Sequence, residues 1–241
     1  MPNKLSPGAP LPFMSNVKNR LDLASFVEAP ANRLALTHLG AWQQWHSPAT
    51  LLIGDGASGK THLAHIWQEL LLPHDLSPLW AEGANINAEF LEKHFRQYPY
   101  IIVENADNAD PSSLMALYND VQEQMGAILL TSRLPLAQWP HLIPELTSRL
   151  RAASTQAIDT PDDALIGDIM IKLFHDRQLS LPQTTIDFFV KRIERSYESM
   201  LLLVEQFDHY ALAQAKPLNR KLARDFLDDF LDDFVNELER L

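Results

Sequence analysis

Short apolar runs divide the first two-thirds of the chain, and each is bounded by glycine, proline or polar residues. They are TLLI at 50–53, LWA at 79–81, YIIVE at 100–104, AILLT at 127–131 and TQAI at 155–158. Runs of this length with such boundaries are typical of buried strands. The segments between them have helical spacing, as in HLAHIWQELL and NAEFLEKHF. Strands alternating with helices predict a three-layer α/β domain with a parallel sheet.

Helical spacing also precedes and follows this region. A helix is predicted over Ala31–Trp45, and a break is predicted at Asp159–Pro161, because the residue before proline is biased away from helix. From there the pattern is entirely helical, with Asp162 or Thr160 able to cap the first segment. The segments are 162–176, 183–195, 197–213 and a last one from Pro217. We therefore predict a tail over 1–13, a nucleotide-binding domain over 14–159 and a small all-α lid over 160–224.

The last segment, 225–241, carries a repeat of four residues. An apolar row at i+4 spacing runs along it, and acids occupy the opposite face; the row is Phe226, Phe230, Phe234 and Leu238. The pattern predicts an amphipathic helix. We favour a helix that closes its own bundle, with an acidic docking or oligomerisation helix as the alternative.

Composition narrows the function classes. The 241 residues include 20 basic and 31 acidic side chains, for a net charge of −11. Since DNA binders gain affinity from Lys and Arg contacts to phosphate, strong direct DNA binding is not expected. The absence of cysteine excludes disulfides, and no apolar stretch approaches the roughly 20 residues of a membrane span. The first residues contain no apolar signal segment, so a cytoplasmic protein is predicted.

The sequence GDGASGKT at 54–61 fits the phosphate-binding pattern G-x4-G-K-[ST] between a predicted strand and a predicted helix. Glycines let backbone N–H groups and the helix N-terminus approach phosphate closely. Lys60 would bridge the β- and γ-phosphates, and the Thr61 hydroxyl would join the Mg²⁺ shell. Ala57 occupies a position where glycine is frequent, and its methyl could crowd the phosphates. The predicted nucleotide-binding residues of the loop are Gly54, Gly56, Ser58, Gly59, Lys60 and Thr61.

The strand at 100–104 ends in Glu104 and Asn105, where a P-loop protein usually has an aspartate that holds Mg²⁺. Glu104 is longer than aspartate by one methylene, about 1.5 Å, and magnesium tolerates little geometric slack. Asn105 can hydrogen-bond a water but cannot accept its proton. Asp107 is an alternative acid, although it need not face the same ligand. Glu104 and Asn105 therefore predict nucleotide binding, with Mg²⁺ near Thr61 and Glu104, but no robust hydrolysis in cis.

Other catalytic patterns are weak. His62 and His65 lie one helical turn apart, but no third metal ligand is evident in the sequence. No Ser-His-Asp or Cys-His signature is present. No separate metal site or hydrolase site is expected.

Several segments, in order and spacing, resemble the AAA+ module of the bacterial replication initiator DnaA. The closer resemblance is to its short regulatory relatives, the Hda family, including the alphaproteobacterial HdaA branch. The segments are FVEAPANRLA at 26–35, the P-loop with HLAH at 62–65, YIIVENAD at 100–107, LLTSRLPLAQWP at 129–140, LIPELTSRL at 142–150 and the lid stretch at 181–208. The resemblance covers about residues 10 to 224.

This resemblance implies further nucleotide contacts. Phe26 and Val27 match the segment that packs on adenine. Thr131 and Ser132 match the sensor-1 region, where a polar side chain orients water near the γ-phosphate. Asn105 is compatible with the second position of the acidic pair in Hda-type proteins, whereas Glu104 departs from the pattern.

It also implies roles for three residues near the lid and at the domain edge. Arg149, in TSRL, matches the arginine finger, which reaches into the nucleotide of a neighbouring subunit. Glu198 stands where these proteins usually have the sensor-2 arginine, and a carboxylate there would repel phosphate. Arg195, one turn earlier, could partly compensate.

The resemblance implies partners and a function. Such regulators promote hydrolysis of DnaA-bound ATP while bound to the sliding clamp through an N-terminal motif that contains Gln-Leu. The candidates, 4–7 and 10–13, lack the glutamine, so clamp binding is uncertain from the sequence, and a homodimer is a further expectation. ADP rather than ATP is the expected ligand. The alternatives are an AAA+ ATPase of the helicase-loader type, with turnover in cis, and a nucleotide-free scaffold.

Overall fold

The structure, a computed structural model, describes residues 21–238 except 57, 160, 194–196 and 215. Within these residues a five-stranded parallel sheet has the order β2-β3-β4-β1-β5. The strands are β1 (Ala49–Ile53), β2 (Leu79–Glu82), β3 (Tyr100–Glu104), β4 (Ala127–Ser132) and β5 (Ser154–Ala157). Each apolar run of the sequence is thus confirmed as a strand, to within a residue or so at either end.

Helices connect the strands and then continue alone. Those of the sheet domain are α1 (Arg33–Gly40), α2 (Lys60–Leu71), α3 (Ala88–His94), α4 (Pro111–Glu123) and α5 (Pro144–Ala152). Those after the sheet are α6 (Asp163–Asp176), α7 (Gln183–Val190), α8 (Tyr197–Gln214) and α9 (Arg220–Leu238). Short 3₁₀ turns occur at 23–25, 42–44, 72–74, 83–85, 106–108 and 136–138.

The sheet is covered on both faces, as strands buried on both sides require. Neighbouring residues of β1 show the alternation: Leu51 packs with residues of α4 and α5, whereas Leu52 packs with residues of α1 and α2. Both side chains are fully buried. The predicted three-layer α/β fold with a parallel sheet is therefore confirmed, followed by a helical C-terminal region.

The region after the sheet has its own core, in which aromatic rings from different helices meet. Phe174, Phe189, Phe207 and Phe226 are buried together. The Phe189 and Phe207 centroids are 5.1 Å apart and nearly perpendicular, an arrangement that aromatic rings favour. Asp162 caps α6, since its side chain accepts a hydrogen bond from the Leu165 amide. The lid is thus a helical bundle around a contiguous aromatic core.

Two predicted helices have other bounds in the structure. The helix predicted over Ala31–Trp45 is shorter, because α1 ends at Gly40 and a 3₁₀ turn, Trp42–Gln44, follows. The segment predicted over 183–195 ends as a helix at Val190. Helix α9 continues through 224–225, where a boundary between lid and C-terminal helix is predicted. No described helix is both long and apolar enough to cross a membrane.

Candidate nucleotide-binding site

A cavity lies between the P-loop, the segment before α1 and the lid. Its polar end is formed by the loop and the first turn of α2, at Ser58, Gly59, Lys60 and Thr61. Its apolar walls come from the segment before α1, the end of β5 and the lid; they include Phe26, Val27, Ala31, Ile158, Leu165, Ile169, Met200 and Leu201. A cavity with donors at one end and apolar walls at the other suits a nucleotide, whose phosphates and base differ in the same way.

Lys60 is held at the polar end by the loop itself. Its ammonium donates to the backbone oxygens of Gly54 (2.8 Å) and Asp55 (2.7 Å) and lies 3.3 Å from Ser58 Oγ. Its side chain is largely buried. Burial lowers the pKa of Lys60, and the nearby positive charge of Arg133 lowers it further. Three carboxylates, Asp55, Glu104 and Asp107, act in the opposite direction on the pKa of Lys60, so the ammonium lies among charges of both signs.

The glycines at the two ends of the P-loop are there for steric reasons. A Cβ on Gly54 would lie 2.6 Å from Ser58 Oγ and 3.2 Å from Ile158. Gly59 has φ +97°, which side-chain-bearing residues rarely adopt, and a Cβ added there would lie 4.0 Å from the Phe26 ring. Gly56 lies in the turn of the loop. The backbone can therefore approach a ligand closely, as phosphate binding requires.

Glu104 and Thr61 meet at the carboxyl end of the sheet. The Thr61 hydroxyl donates to Glu104 Oε1 across 2.5 Å. Two oxygen-bearing side chains in contact beside a phosphate-binding loop fit the hard-ligand preference of Mg²⁺, which usually takes one or two protein ligands and keeps several waters. The extra methylene of Glu104 therefore does not separate it from Thr61.

Asn105 points away from the cavity. Its backbone is left-handed (φ +50°), its amide donates to Thr131 Oγ1 at 3.1 Å, and its side-chain amide donates to Glu82 at 2.8 Å. Thr131 is buried with its hydroxyl engaged in this contact. Ser132 instead bonds the backbone of Leu134. Of the polar residues predicted to orient water, these three are thus occupied in holding the loops after β3 and β4.

The ring of Phe26 packs edge-to-face against the ring of His62. The two rings are 5.0 Å apart and perpendicular, and His62 Nε2 lies 2.9 Å from the backbone oxygen of Asp22. Burial lowers the pKa of His62. His65, by contrast, lies against Trp80. Within the described residues no three His, Cys, Asp or Glu side chains are grouped as metal ligands.

Arg149 lies at the far end of the sheet from the P-loop. Its guanidinium is 5.8 Å from the ring centroid of Tyr118, whose hydroxyl is 3.5 Å from Ser47 Oγ. Ser47 precedes β1, and that strand spans five residues before it leads to the loop. At about 3.3 Å per residue, β1 separates the two ends by roughly 16 Å. Arg149 is also absent from the residues that line the cavity.

Three residues around the site, Gly83, Arg133 and Lys172, were not assigned a place by sequence reasoning, whereas Asp107 was considered as an alternative acid. Gly83, at the end of β2, packs so closely on Asn105 that a Cβ would lie 2.1 Å from the Asn105 oxygen. Arg133 and Asp107 are near enough for their charges to act on Lys60. Lys172, on α6, lines the cavity. Only Lys172 left a signal in the sequence, because it follows Leu165 and Ile169 at helical spacing.

Several predicted features lie outside the described residues. They are Ala57, Arg195 and the two tail segments with candidate clamp motifs, together with the side chain of Glu198. Their predicted roles stay predictions.

The sequence matches no protein-family model. Solved structures are nevertheless similar to it. Domain III of the Thermotoga maritima replication initiation protein DnaA superposes with a TM-score of 0.76 and 16% identity, covering 87% of this chain and 96% of that one. Aquifex aeolicus DnaA bound to AMPPCP gives a TM-score of 0.67 and 14% identity over 80% of this chain and 66% of that one.

This is a DnaA-like AAA+ fold. The Holliday junction branch migration motor RuvB of T. maritima has it too, with a TM-score of 0.65 and 14% identity over 81% of this chain and 65% of that one. At such identities the similarity establishes the fold alone. Within this fold, the described P-loop residues Ser58, Gly59, Lys60 and Thr61 line the cavity.

Proposed function

We propose that this AAA+ protein is a DnaA-related regulator of replication initiation that binds ADP or ATP with Mg²⁺. Through Arg149 it promotes hydrolysis of ATP bound to DnaA. The observation that carries the proposal is the separation of Arg149 from the chain's own cavity. A guanidinium that cannot reach its own nucleotide is available to that of a neighbouring subunit. Supplied in trans, such a group can accelerate phosphoryl transfer by roughly 10³–10⁵-fold.

The residues after β3 support a role in which this chain binds its nucleotide without hydrolysing it. Asn105 cannot accept a proton from water, and its amide already bonds Glu82. Bound ATP would therefore persist in this chain, and ADP would serve equally well to hold the two domains around the cavity. AMPPCP in the similar DnaA structure is consistent with nucleotide as the ligand class.

The test is a single-turnover assay with ATP-loaded DnaA, sliding clamp and DNA. We expect the wild-type chain to accelerate release of phosphate from DnaA-bound ATP by about 100-fold or more, and Arg149→Ala to remove most of this acceleration. Arg151→Ala is the matched control, because Arg151 is an exposed arginine in the same turn of α5. No acceleration by the wild type, or equal acceleration by Arg149→Ala, contradicts the proposal. Leaving out the clamp tests that partner separately.

A second function is favoured by the contact between Thr61 and Glu104. If this pair holds Mg²⁺, and if Asp107 activates water, the chain would be an ATPase in cis of the helicase-loader type. Asp107 has a buried oxygen with no hydrogen-bond partner among the described residues. Brisk Mg²⁺-dependent turnover by the purified chain, lost in Lys60→Ala and in Asp107→Asn, would establish this alternative.

A further inference from the structure

Lys172 lies on the face of α6 that lines the cavity. It follows Leu165 by seven residues and Ile169 by three, and residues at this spacing share one side of a helix. Leu165 and Ile169 form part of the apolar wall, and Lys172 lines the same cavity. It is half-buried there. The lid thus contributes a cation as well as an apolar surface.

The charged residues around Lys172 show whether its ammonium already has a partner within the protein. Its charge acts on His62, whose ring packs against Phe26 in the same cavity. Asp168 and Asp176 stand four residues to either side of it, at the spacing that allows ion pairs along a helix. Yet no carboxylate of the described residues forms a salt bridge with Lys172. Asp159 lines the same cavity and the charge of Asp22 also acts on His62, so a ligand there would meet both acids and the Lys172 ammonium.

We propose that Lys172 binds a phosphate of the nucleotide, so that cations of both domains hold the ligand. The inference rests on the proposed nucleotide binding and adds a contact from the lid. A lysine ammonium binds phosphate as a point charge, and a half-buried position protects that attraction from screening. Nucleoside di- and triphosphates would draw the lid and the P-loop together, whereas an uncharged nucleoside would contact only the apolar walls.

The experiment compares ADP with adenosine by isothermal titration calorimetry on the full chain. We expect Lys172→Met, which keeps the length of the side chain, to weaken ADP binding about tenfold. Adenosine binding should change little. Lys191→Met is the matched control, because Lys191 is an exposed lid lysine outside the cavity, and it should bind ADP as the wild type does. Lys172→Arg, which keeps the charge, should retain most of the affinity.

The outcomes separate this inference from the proposed function. If the wild type binds ADP, Lys60→Ala does not, and Lys172→Met binds as the wild type does, only the inference is overturned. Equal weakening of ADP and adenosine also overturns it, since Lys172 would then act through the shape of the cavity. If the wild type binds neither ligand, the proposed nucleotide binding fails and the inference fails with it. Thermal unfolding of each variant shows that affinities are compared between folded proteins, and loss of affinity in a folded Lys172→Arg contradicts a charge contact.

Discussion

The P-loop and the end of β3 meet through the hydrogen bond between Thr61 and Glu104, yet they differ in how their side chains are used. In the P-loop, Lys60 and Thr61 lie at the cavity and the glycines leave room for a ligand. After β3, only Glu104 reaches toward the loop, whereas Asn105 bonds Glu82 on the neighbouring strand. The side chains predicted to bind phosphate thus lie at the cavity, while Asn105 is engaged with a neighbouring strand.

This difference teaches that binding and hydrolysis can be separated within one site. Phosphate binding depends on a short contiguous loop whose geometry is local. Hydrolysis needs an additional base held at the right distance from water. Under the proposed function, Asn105 would leave phosphate binding in place without supplying a base, which suits a regulator that needs its nucleotide only as a ligand.

The largest expected effect is on the P-loop side. Lys60→Ala removes a buried ammonium from the phosphate end, and we expect ADP affinity measured by calorimetry to fall by about 100-fold, as for a charge-assisted contact in a partly desolvated site. The control is Lys93→Ala, an exposed lysine on α3. If Lys60→Ala bound ADP as tightly as the wild type, the P-loop would not be the region on which phosphate binding depends.

An intermediate effect is expected where Gly83 supports Asn105. In Gly83→Ala the new Cβ would lie 2.1 Å from the Asn105 oxygen and 2.8 Å from its carbonyl carbon, so the turn after β3 must shift. We expect the free energy of unfolding in urea to fall by about 2 kcal/mol, as for overpacking against backbone. ADP affinity should fall far less than in Lys60→Ala.

Gly40→Ala is the matched control for that stability measurement. Gly40 ends α1, and a Cβ there would meet nothing within 4 Å. Because alanine favours helix over glycine, the variant should be within about 1 kcal/mol of the wild type, on the stable side. Equal losses in both variants would show that the Gly83 contact is not what orders the β3 turn.

The smallest effect concerns pH and the support beneath Phe26. Burial lowers the pKa of His62 below its ordinary value of 6.5, and burial acts in the same direction on the pKa of His38. The unfolded chain therefore binds protons more readily just below pH 6.5. The free energy of unfolding should therefore decline as pH falls from about 7.5 to 5.5, until the folded protein takes up the same protons.

His62→Gln should make this decline with pH shallower, because it removes one of the two histidines whose pKa is lowered by burial. His175→Gln, which changes an exposed histidine at the end of α6, is the control with which the slope of His62→Gln is compared. Urea unfolding at a series of pH values gives the comparison. A slope that His62→Gln does not alter would mean that His62 takes up its proton equally in the folded and unfolded states.

Sequence reasoning succeeded where structure follows from local pattern. The strands, the P-loop between β1 and α2, and the cap at Asp162 are each specified by residues within a few positions of one another. Helix ends were predicted less well: α1 stops at Gly40 although apolar residues continue at similar spacing to Trp45. There the packing of tryptophans against the sheet, including Trp45 stacked on Trp67, decides where the helix ends.

The sequence by itself determined the α/β fold, the phosphate loop and the chemical weakness of Asn105 as a base, since these depend on residue type and local spacing. Only the tertiary structure decided that Asn105 bonds Glu82, that Lys172 joins the cavity and that Arg149 lies far from its own P-loop. Those relations join residues from separate strands and helices. They depend on the order of strands in the sheet and the packing of the lid, which spacing along the chain does not encode.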